Sequence, residues 1–464
     1  MKTDPAFLSA LDLLKLYQKK KLSPVEVLDA VLDRLHAENP SLNAFCVIDE
    51  ATGIKMAKAS EARWMKAKPK GLLDGVPIPI KDTNAAKGWP FRIGSRTTSP
   101  DPVDWDAPAV ARLREHGAVF FGKTTTPEFG WKGVTDSPLT GITRNPWNPA
   151  KTPGGSSGGA VVAVATGIGP LALGGDGGGS IRMPCGYTGT YGIKATYGRV
   201  PNMPSHLLHQ MSLPGPVGRH VADNALMLRV LSLPDHRDPY ALPHRDIDYL
   251  PLLKKGVKGL KIGFSPRLGY ADVDRQVAAK VESAVKVFES LGAHVELAGP
   301  GFENPRWALD ILWRAGQART LMNMTAEQMQ QVEPALLACG RSGMDVSALS
   351  YLAALNEKGR MGQAMEIFHQ TYDLLVTPSL PIVAFDAGLL VPDRKKYPQW
   401  YDWSPFSWPF NMTRQPAASC PCGFNSEGLP VGMQIVGPLH REDLVLRASH
   451  AFEQARPFKM PRSG

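Results

Sequence analysis

Cysteine is scarce in this chain of 464 residues: the five present (Cys46, Cys185, Cys339, Cys420, Cys422) are scattered and odd in number. That argues against a disulfide scaffold, which is short, secreted and densely paired. A structural zinc is equally poorly served, because Cys420 and Cys422 form a lone CxC with no second pair and no neighbouring histidine, whereas a tetrahedral site needs four ligands. Long apolar runs are missing too. No stretch approaches the ~18 uncharged apolar residues that a membrane span requires. Asp4, Asp12 and Lys15 interrupt the first sixteen residues, which lack the unbroken apolar core of a signal peptide. These absences lead to the expectation of a reducing compartment, the cytoplasm, with no membrane partner. Concentrated charge is also lacking. The net charge is +9, yet the basic residues are spread along the chain, with only Lys19 to Lys21 and Arg394 to Lys396 as short clusters. That pattern is solvated surface charge and carries no expectation of nucleic acid.

What is there is a hydrophobic content of 43%, enough to build a large core, with no internal repeat and no low-complexity segment. Strand and helix patterns alternate. Ser23 to Glu26 form a capping box with Pro24 at the first helical position, followed by Leu28, Val31, Leu32 and Leu35 at helical spacing. In Gly75 to Asp82 the alternating Val76, Ile78 and Ile80 predict a strand that delivers Lys81 at its end. The pattern predicts a helix over 106–116, strands over 118–124 and 257–264, a helix over 277–291 closed by Gly292, and a strand over 294–297. Strands over 373–377 and 431–436 and a helix over 442–454 follow. The class is therefore α/β. Residues 233–252 and 391–408 are irregular, but regular elements continue on both sides of each, so the expectation is one domain over 1–464 with long loops.

The most distinctive segment is Thr152 to Arg182, TPGGSSGGAVVAVATGIGPLALGGDGGGSIR, in which two glycine-rich loops each hold a central serine. Residues 160–166 read as a short helix and 168–173 as a buried strand, an arrangement that folds the two loops back toward each other. Glycine permits close backbone approach and lets successive N–H groups converge on one point, as an oxyanion hole requires. Phosphate binding is a poor match, since neither loop ends in Gly-Lys-Ser/Thr or carries GxGxxG after a strand. Gly154 to Gly158 does satisfy the GxSxG of a nucleophile elbow at Ser156. An elbow follows a strand, however, and Pro146, Pro149 and Pro153 make the preceding segment read as loop. Of the histidines that an elbow would need (His206, His209, His220, His294, His369, His440), none sits in a recognisable setting. A purely structural alternative has Ser156 or Ser157 capping the helix that starts near Gly158.

Taken together, GVPIPIKD at 75–82, GGSSGG at 154–159 and GGDGGGSIR at 174–182 resemble the amidase signature family. So do FGKTTTPEFGW at 121–131, TRNPWNPAKTPGGSSGG at 143–159, YGIKATYGRV at 191–200, YDLLVTPSLP at 372–381 and QPAASCPCGFNSEGLPVGMQIVG at 415–437. The resemblance implies a large mixed central sheet covered by helices on both faces, and an amidohydrolase that needs no cofactor and no metal. It assigns Ser180 as nucleophile, Ser156 as the bridging serine, held on a cis peptide, and Lys81 as base. The N–H groups of Gly177, Gly178, Gly179 and Ser180 correspond to the oxyanion hole, and Asp176 with Arg182 to a pair bracing the loop. The chemistry requires a neutral lysine, because only an unprotonated amine can take the serine proton; burial lowers a lysine pKa from its ordinary ~10.4. A surface ion pair of Lys81 with Asp82 is the alternative.

Three departures from the family pattern stand out. Gly177 replaces a branched or hydroxyl residue, Lys194-Ala195-Thr196 replaces Lys-Pro-Thr, and Pro184-Cys185-Gly186 replaces Pro-Ala-Ala. Gly177 predicts a more flexible loop, and Cys185 reads as a free buried thiol. Four readings stay open: a stand-alone amidase acting on a small carboxamide, the glutaminase subunit of a tRNA-dependent amidotransferase, a GxSxG esterase using Ser156, and an inactive binding protein. Against the second, residues 201–220 lack the region typical of that subunit. The expected partner is a small amide, with a homodimer left open. Aromatic-rich stretches at Met203 to His209, Trp307 to Trp313 and Trp400 to Trp408 suggest a pocket for an apolar or aromatic group.

Overall fold

In the computed structural model, which describes residues 4–203 and 210–461, strands drawn from Phe45 through Val436 join one mixed sheet. In chain order they are β1 (Phe45–Ile48), β2 (Ile80–Lys81), β3 (Gly122–Thr124), β4 (Leu171–Asp176), β5 (Tyr191–Lys194), β6 (Leu213–Gly218), β7 (Lys261–Phe264), β8 (His294–Leu297), β9 (Leu374–Pro378), β10 (Ala417–Phe424) and β11 (Pro430–Val436). Across the sheet the order is β1-β3-β2-β4-β6-β5-β10-β11-β9-β7-β8, eleven strands among the described residues. Two parallel pairs toward each edge (β3 with β2 and β2 with β4; β9 with β7 and β7 with β8) flank a run of antiparallel ones, which makes the sheet mixed.

The expected elements are present, with ends that differ from the expectation by up to four residues. The Ser23 capping box forms in both directions at the head of a helix over Pro24–Leu42. The apolar alternation before Lys81 yields only two paired residues, preceded by a single bridge from Pro77 to Val119. The helices at Arg275–Ser290 and Glu442–Ala455 and the strand His294–Leu297 lie where the periodicity places them. Other elements have no such periodicity to announce them. Leu213–Gly218 holds Pro214 and Pro216, yet it pairs with β4 along all six residues. It tolerates the prolines because β5 pairs with it only through Val217 and Gly218, so both lie beyond that second ladder.

Behind the sheet's active end lies the helix Gly158–Ala165, whose residues are all buried. An all-apolar helix of this kind can only sit in a core. Its first turn is made of glycine for a steric reason: a Cβ on Gly159 would fall 2.4 Å from the Ala44 carbonyl oxygen. The close fit sets this helix against the backbone of neighbouring segments and fixes the serine loop that precedes it. β2 and β4 are parallel neighbours, with Ile80 opposite Leu173, so Lys81 and Asp176 emerge at the same, carboxyl, end of the sheet. Crevices at that end of parallel strands are the usual place for ligands.

Candidate active site

Lys81 is only 2% exposed, at the end of an apolar strand. Its Nζ lies 2.7 Å from Ser156 Oγ, 3.0 Å from Ser157 Oγ and 3.4 Å from the Gly175 carbonyl oxygen. The ion pair with Asp82 does not form: Asp82 lies 2.6 Å from Lys123 Nζ and accepts from the Gly94 N–H at 2.9 Å. Burial therefore dominates, against the opposing pull of Asp176, and brings the Lys81 pKa down to about 7.

The neighbours of Nζ also settle how its hydrogens are used. Ser157 Oγ donates its one hydrogen to the Gly175 carbonyl at 3.0 Å and accepts the Gly175 N–H at 3.2 Å. Toward Lys81 it can only accept. The Gly175 carbonyl likewise only accepts. A neutral amine has two N–H bonds and one lone pair, so with both hydrogens directed to Ser157 and Gly175 the lone pair is left facing the Ser156 hydroxyl. Ser157 is thus a site residue that the sequence reading considered only as a helix cap. In that capacity it makes no side-chain bond. The doubled serine in GGSSGG was the signal available.

The Gly155–Ser156 peptide is cis. Thr135 Oγ1 clamps the loop, donating to the Gly154 carbonyl at 2.8 Å and accepting the Gly158 N–H at 3.1 Å. The Ser157 N–H donates to the Ser180 carbonyl at 3.1 Å, which ties the two glycine-serine loops together. No strand occurs within residues 144–157, so the nucleophile-elbow setting is absent.

Ser180 lies on the second loop and lines the same cleft as Lys81 and Ser156, although its hydroxyl makes no hydrogen bond to Ser156 among the described residues. Asp176 organises this loop, accepting from the N–H groups of Gly179 at 2.8 Å and Ile181 at 3.2 Å. The N–H of Gly179 is thereby engaged, and the backbone donors of the predicted set without such a partner among the described residues are those of Gly177, Gly178 and Ser180. Gly179 has φ 115°, and a Cβ there would fall 2.3 Å from Ser407 Oγ. Gly177 does not share that left-handed conformation.

Arg182 forms the expected pair with Asp176, Nε to Oδ2 and Nη2 to Oδ1, both at 3.0 Å and fully buried. Burial opposes ionisation of Asp176, but the Arg182 charge and hydrogen bonds from Arg182 and Asn411 outweigh it and hold the carboxyl well below the usual carboxylate range. Arg182 also donates to the Ser407 carbonyl at 2.8 Å, Gln434 Oε1 at 2.7 Å and Asn411 Oδ1 at 2.5 Å. Asn411 in turn donates to Asp176 Oδ1 at 2.8 Å. Asn411 and Ser407 come from more than 220 positions downstream, and no local pattern marks them.

The cleft is walled by Phe129, Leu213, Pro214 and Trp313, with Thr83, Asn84, Asn202 and Ser212 as uncharged polar groups; Lys81 is its one ionisable side chain among the described residues. Of the aromatic stretches, Trp313 reaches the cleft. Trp400 packs edge-on behind it at 4.9 Å, Trp403 and Trp408 are buried, and Trp307 is largely exposed. Residues 204–209, including His206 and His209, lie outside the described residues, and none of the described histidines lines the cleft. Cys185 is buried in the helix Arg182–Thr188, where burial pushes its thiol up to about 12. All five cysteines are free.

The amidase family profile matches residues 26–446. An acylamidase of Rhodococcus erythropolis is 36% identical over 465 residues, spanning 97% of this chain and 96% of that protein. A glutamyl-tRNA(Gln) amidotransferase chain of Carboxydothermus hydrogenoformans is 32% identical, spanning 98% of this chain and 99% of its own length. The crystal structure of a bacterial aryl acylamidase of the amidase signature family shares 30% identity with a TM-score of 0.91, over 97% of this chain and 96% of that one.

Proposed function

The chain belongs to the amidase signature family and is a hydrolase of amide C–N bonds, and on that premise we propose a stand-alone amidase that cleaves small neutral carboxamides through an acyl-enzyme on Ser180. The observation that carries the reading is the buried Lys81 amine, without a carboxylate partner, 2.7 Å from Ser156 Oγ at the mouth of the Ser180 loop.

A serine hydroxyl is a weak nucleophile until a base takes its proton. Neutral Lys81 accepts the proton of Ser156 as Ser156 takes that of Ser180, and Ser180 Oγ bonds to the carbonyl carbon. Negative charge moves to the carbonyl oxygen, where the N–H groups of Gly177, Gly178 and Ser180 stabilise it; a single preorganised donor of this kind contributes about 3–4 kcal/mol. As the C–N bond breaks, Ser156 passes its proton to the departing nitrogen and recovers one from Lys81. Water, deprotonated by the same relay, then releases the carboxylate. The Ser156–Ser180 contact closes when substrate fills the cleft, as catalytic hydrogen bonds often do.

The wall of Phe129 and Trp313 favours an apolar or aromatic substrate portion. The second reading, a glutaminase subunit, draws on the amidotransferase relative. Free glutamine carries a carboxylate and an ammonium beside its side chain, and the described cleft offers neither of them an opposite charge. The setting we infer is the cytoplasm, with free thiols, no helix among the described residues long and apolar enough to cross a membrane, and neither nucleic acid nor membrane as partner.

The test is a panel of aryl, alkyl and amino-acid amides assayed for ammonia or amine release by the purified protein, with Ser180→Ala and Ser156→Ala as controls. Turnover of neutral amides without glutaminase activity, lost in both variants, is expected. Normal turnover by Ser180→Ala would falsify the relay.

A further inference from the structure

Three of the four buried asparagines among the described residues donate through Nδ2, and of these Asn224 alone leaves an atom, its Oδ1, unpaired. Asn145 donates to the carbonyls of Thr152 and Tyr187, and Asn411 to Asp176 and the Met211 carbonyl. Asn84 differs. It is 5% exposed, lines the cleft with Lys81, Ser156 and Ser180, and its Nδ2 is enclosed without a hydrogen-bond partner. Its backbone N–H closes a tight turn onto the Lys81 carbonyl at 2.9 Å, so the side chain starts from a fixed point beside the base.

A buried amide left unpaired is unfavourable, and native proteins keep few of them without a use. Among the described residues that line the cleft, one other buried side-chain polar atom lacks a partner, the indole Nε1–H of Trp313. Both orphans are donors. A substrate that is hydrocarbon outside its scissile amide, whose carbonyl oxygen goes to the loop N–H groups, would leave both unmatched, whereas one carrying a further hydrogen-bond acceptor could meet them. The enclosed carboxamide of Asn84 meets such a group by turning about its terminal torsion, whose preferences are broad.

We propose that Asn84 is a specificity-determining residue of the amidase site, selecting carboxamides that carry an uncharged hydrogen-bond acceptor close to the scissile bond. The inference rests on Lys81, Ser156 and Ser180 being the reacting groups. It narrows the substrate class from any small neutral amide to acceptor-bearing ones, such as ether or carbonyl derivatives. A site with a hydrogen-bonding group discriminates strongly against analogues that lack the matching atom, because the protein group is then buried unpaired.

The test uses two pairs in which an ether oxygen replaces a methylene with little change of shape. Methoxyacetamide against butanamide places the acceptor in the acyl half, and N-(2-methoxyethyl)acetamide against N-butylacetamide places it in the amine half. Wild-type protein is expected to prefer the ether in one pair by about tenfold in kcat/KM, and Asn84→Leu, of similar size, to lose that preference while still hydrolysing the methylene analogue. Saturation-transfer NMR on Ser180→Ala protein, with and without Asn84→Leu, reads the same preference in binding without turnover. An ether-to-methylene ratio that is unchanged by Asn84→Leu, or no wild-type preference in either pair by turnover and binding, overturns the inference. Turnover retained by Ser180→Ala overturns the relay instead, so the two failures are distinguishable.

Discussion

Replacing Lys81 with methionine is expected to abolish activity and at the same time to stabilise the fold. The amine sits among two hydroxyls and one carbonyl, which bind it without balancing a charge, and burial lowers its pKa from 10.5 to about 7. At about 1.4 kcal/mol per pKa unit, holding this group in the folded protein at pH 7 costs about 5 kcal/mol relative to the unfolded chain. Methionine is of similar length and uncharged, and removes that cost. It also leaves Ser156 without its partner, a loss of about 1–3 kcal/mol. The net is a gain of about 2–4 kcal/mol at pH 7. The sign with pH follows from linkage. Lys81 is a cation whose folded pKa lies below its unfolded one, so the unfolded chain binds the extra proton between these values and wild-type stability rises with pH across that window. The cost is complete about a unit below pH 7, has begun to fall at pH 7, shrinks by about 1.4 kcal/mol per unit above it, and vanishes near pH 10.4. Denaturation midpoints of wild type and Lys81→Met at pH 7, 8 and 9 measure this directly, with the advantage of the variant narrowing at each step. A variant less stable than wild type at pH 7, or a gap that does not change with pH, refutes the reasoning.

Three further expectations follow from the same geometry. The rate should track neutral Lys81, so kcat/KM falls about tenfold per unit below pH 7 and levels off above it; a profile still climbing between pH 8 and 10 contradicts a base titrating near 7. Arg182→Met strands the Asp176 carboxylate in the core, which is expected to cost about 3–5 kcal/mol, and a melting temperature equal to wild type would show that the pair does not brace the loop. Gly179→Ala places a Cβ 2.3 Å from Ser407 Oγ and 2.4 Å from Ser407 Cβ at φ 115°, so the loop must move; kcat should drop at least about tenfold, while Ser407→Gly in the same chain, which removes both atoms, recovers part of it, and no recovery would assign the loss to backbone strain.

The site was more legible in the sequence than the fold around it. Lys81, Ser156, Ser180, Asp176 and Arg182 lie in short, glycine-rich or strand-end motifs whose composition is dictated by local backbone demands, and the structure brings all five to one end of the sheet. Helices such as Pro24–Leu42 and Arg275–Ser290 were readable because one face is apolar at helical spacing and their first turns carry caps. The helix Ala348–Phe368 carries no such stripe, and β6 carries two prolines; both are held by their neighbours and not by their own pattern. Of the N–H groups expected to face the oxyanion, that of Gly179 is taken by the Asp176 carboxylate, which turns back over the loop, and nothing local reveals that turn.

By itself the sequence determined the α/β class, the family, and which side chains could perform an acyl transfer, since these depend on residue type and spacing along the chain. The tertiary structure decided the rest, because it depends on what surrounds each group. The lone pair of Lys81 faces Ser156 only because Ser157, from the serine loop, and Gly175, from β4, occupy its two hydrogens. The amine loses its proton near pH 7, and not near its ordinary value, only because the sheet and loops bury it. Asn84 lacks a partner only because of where Lys81 and the cleft place it.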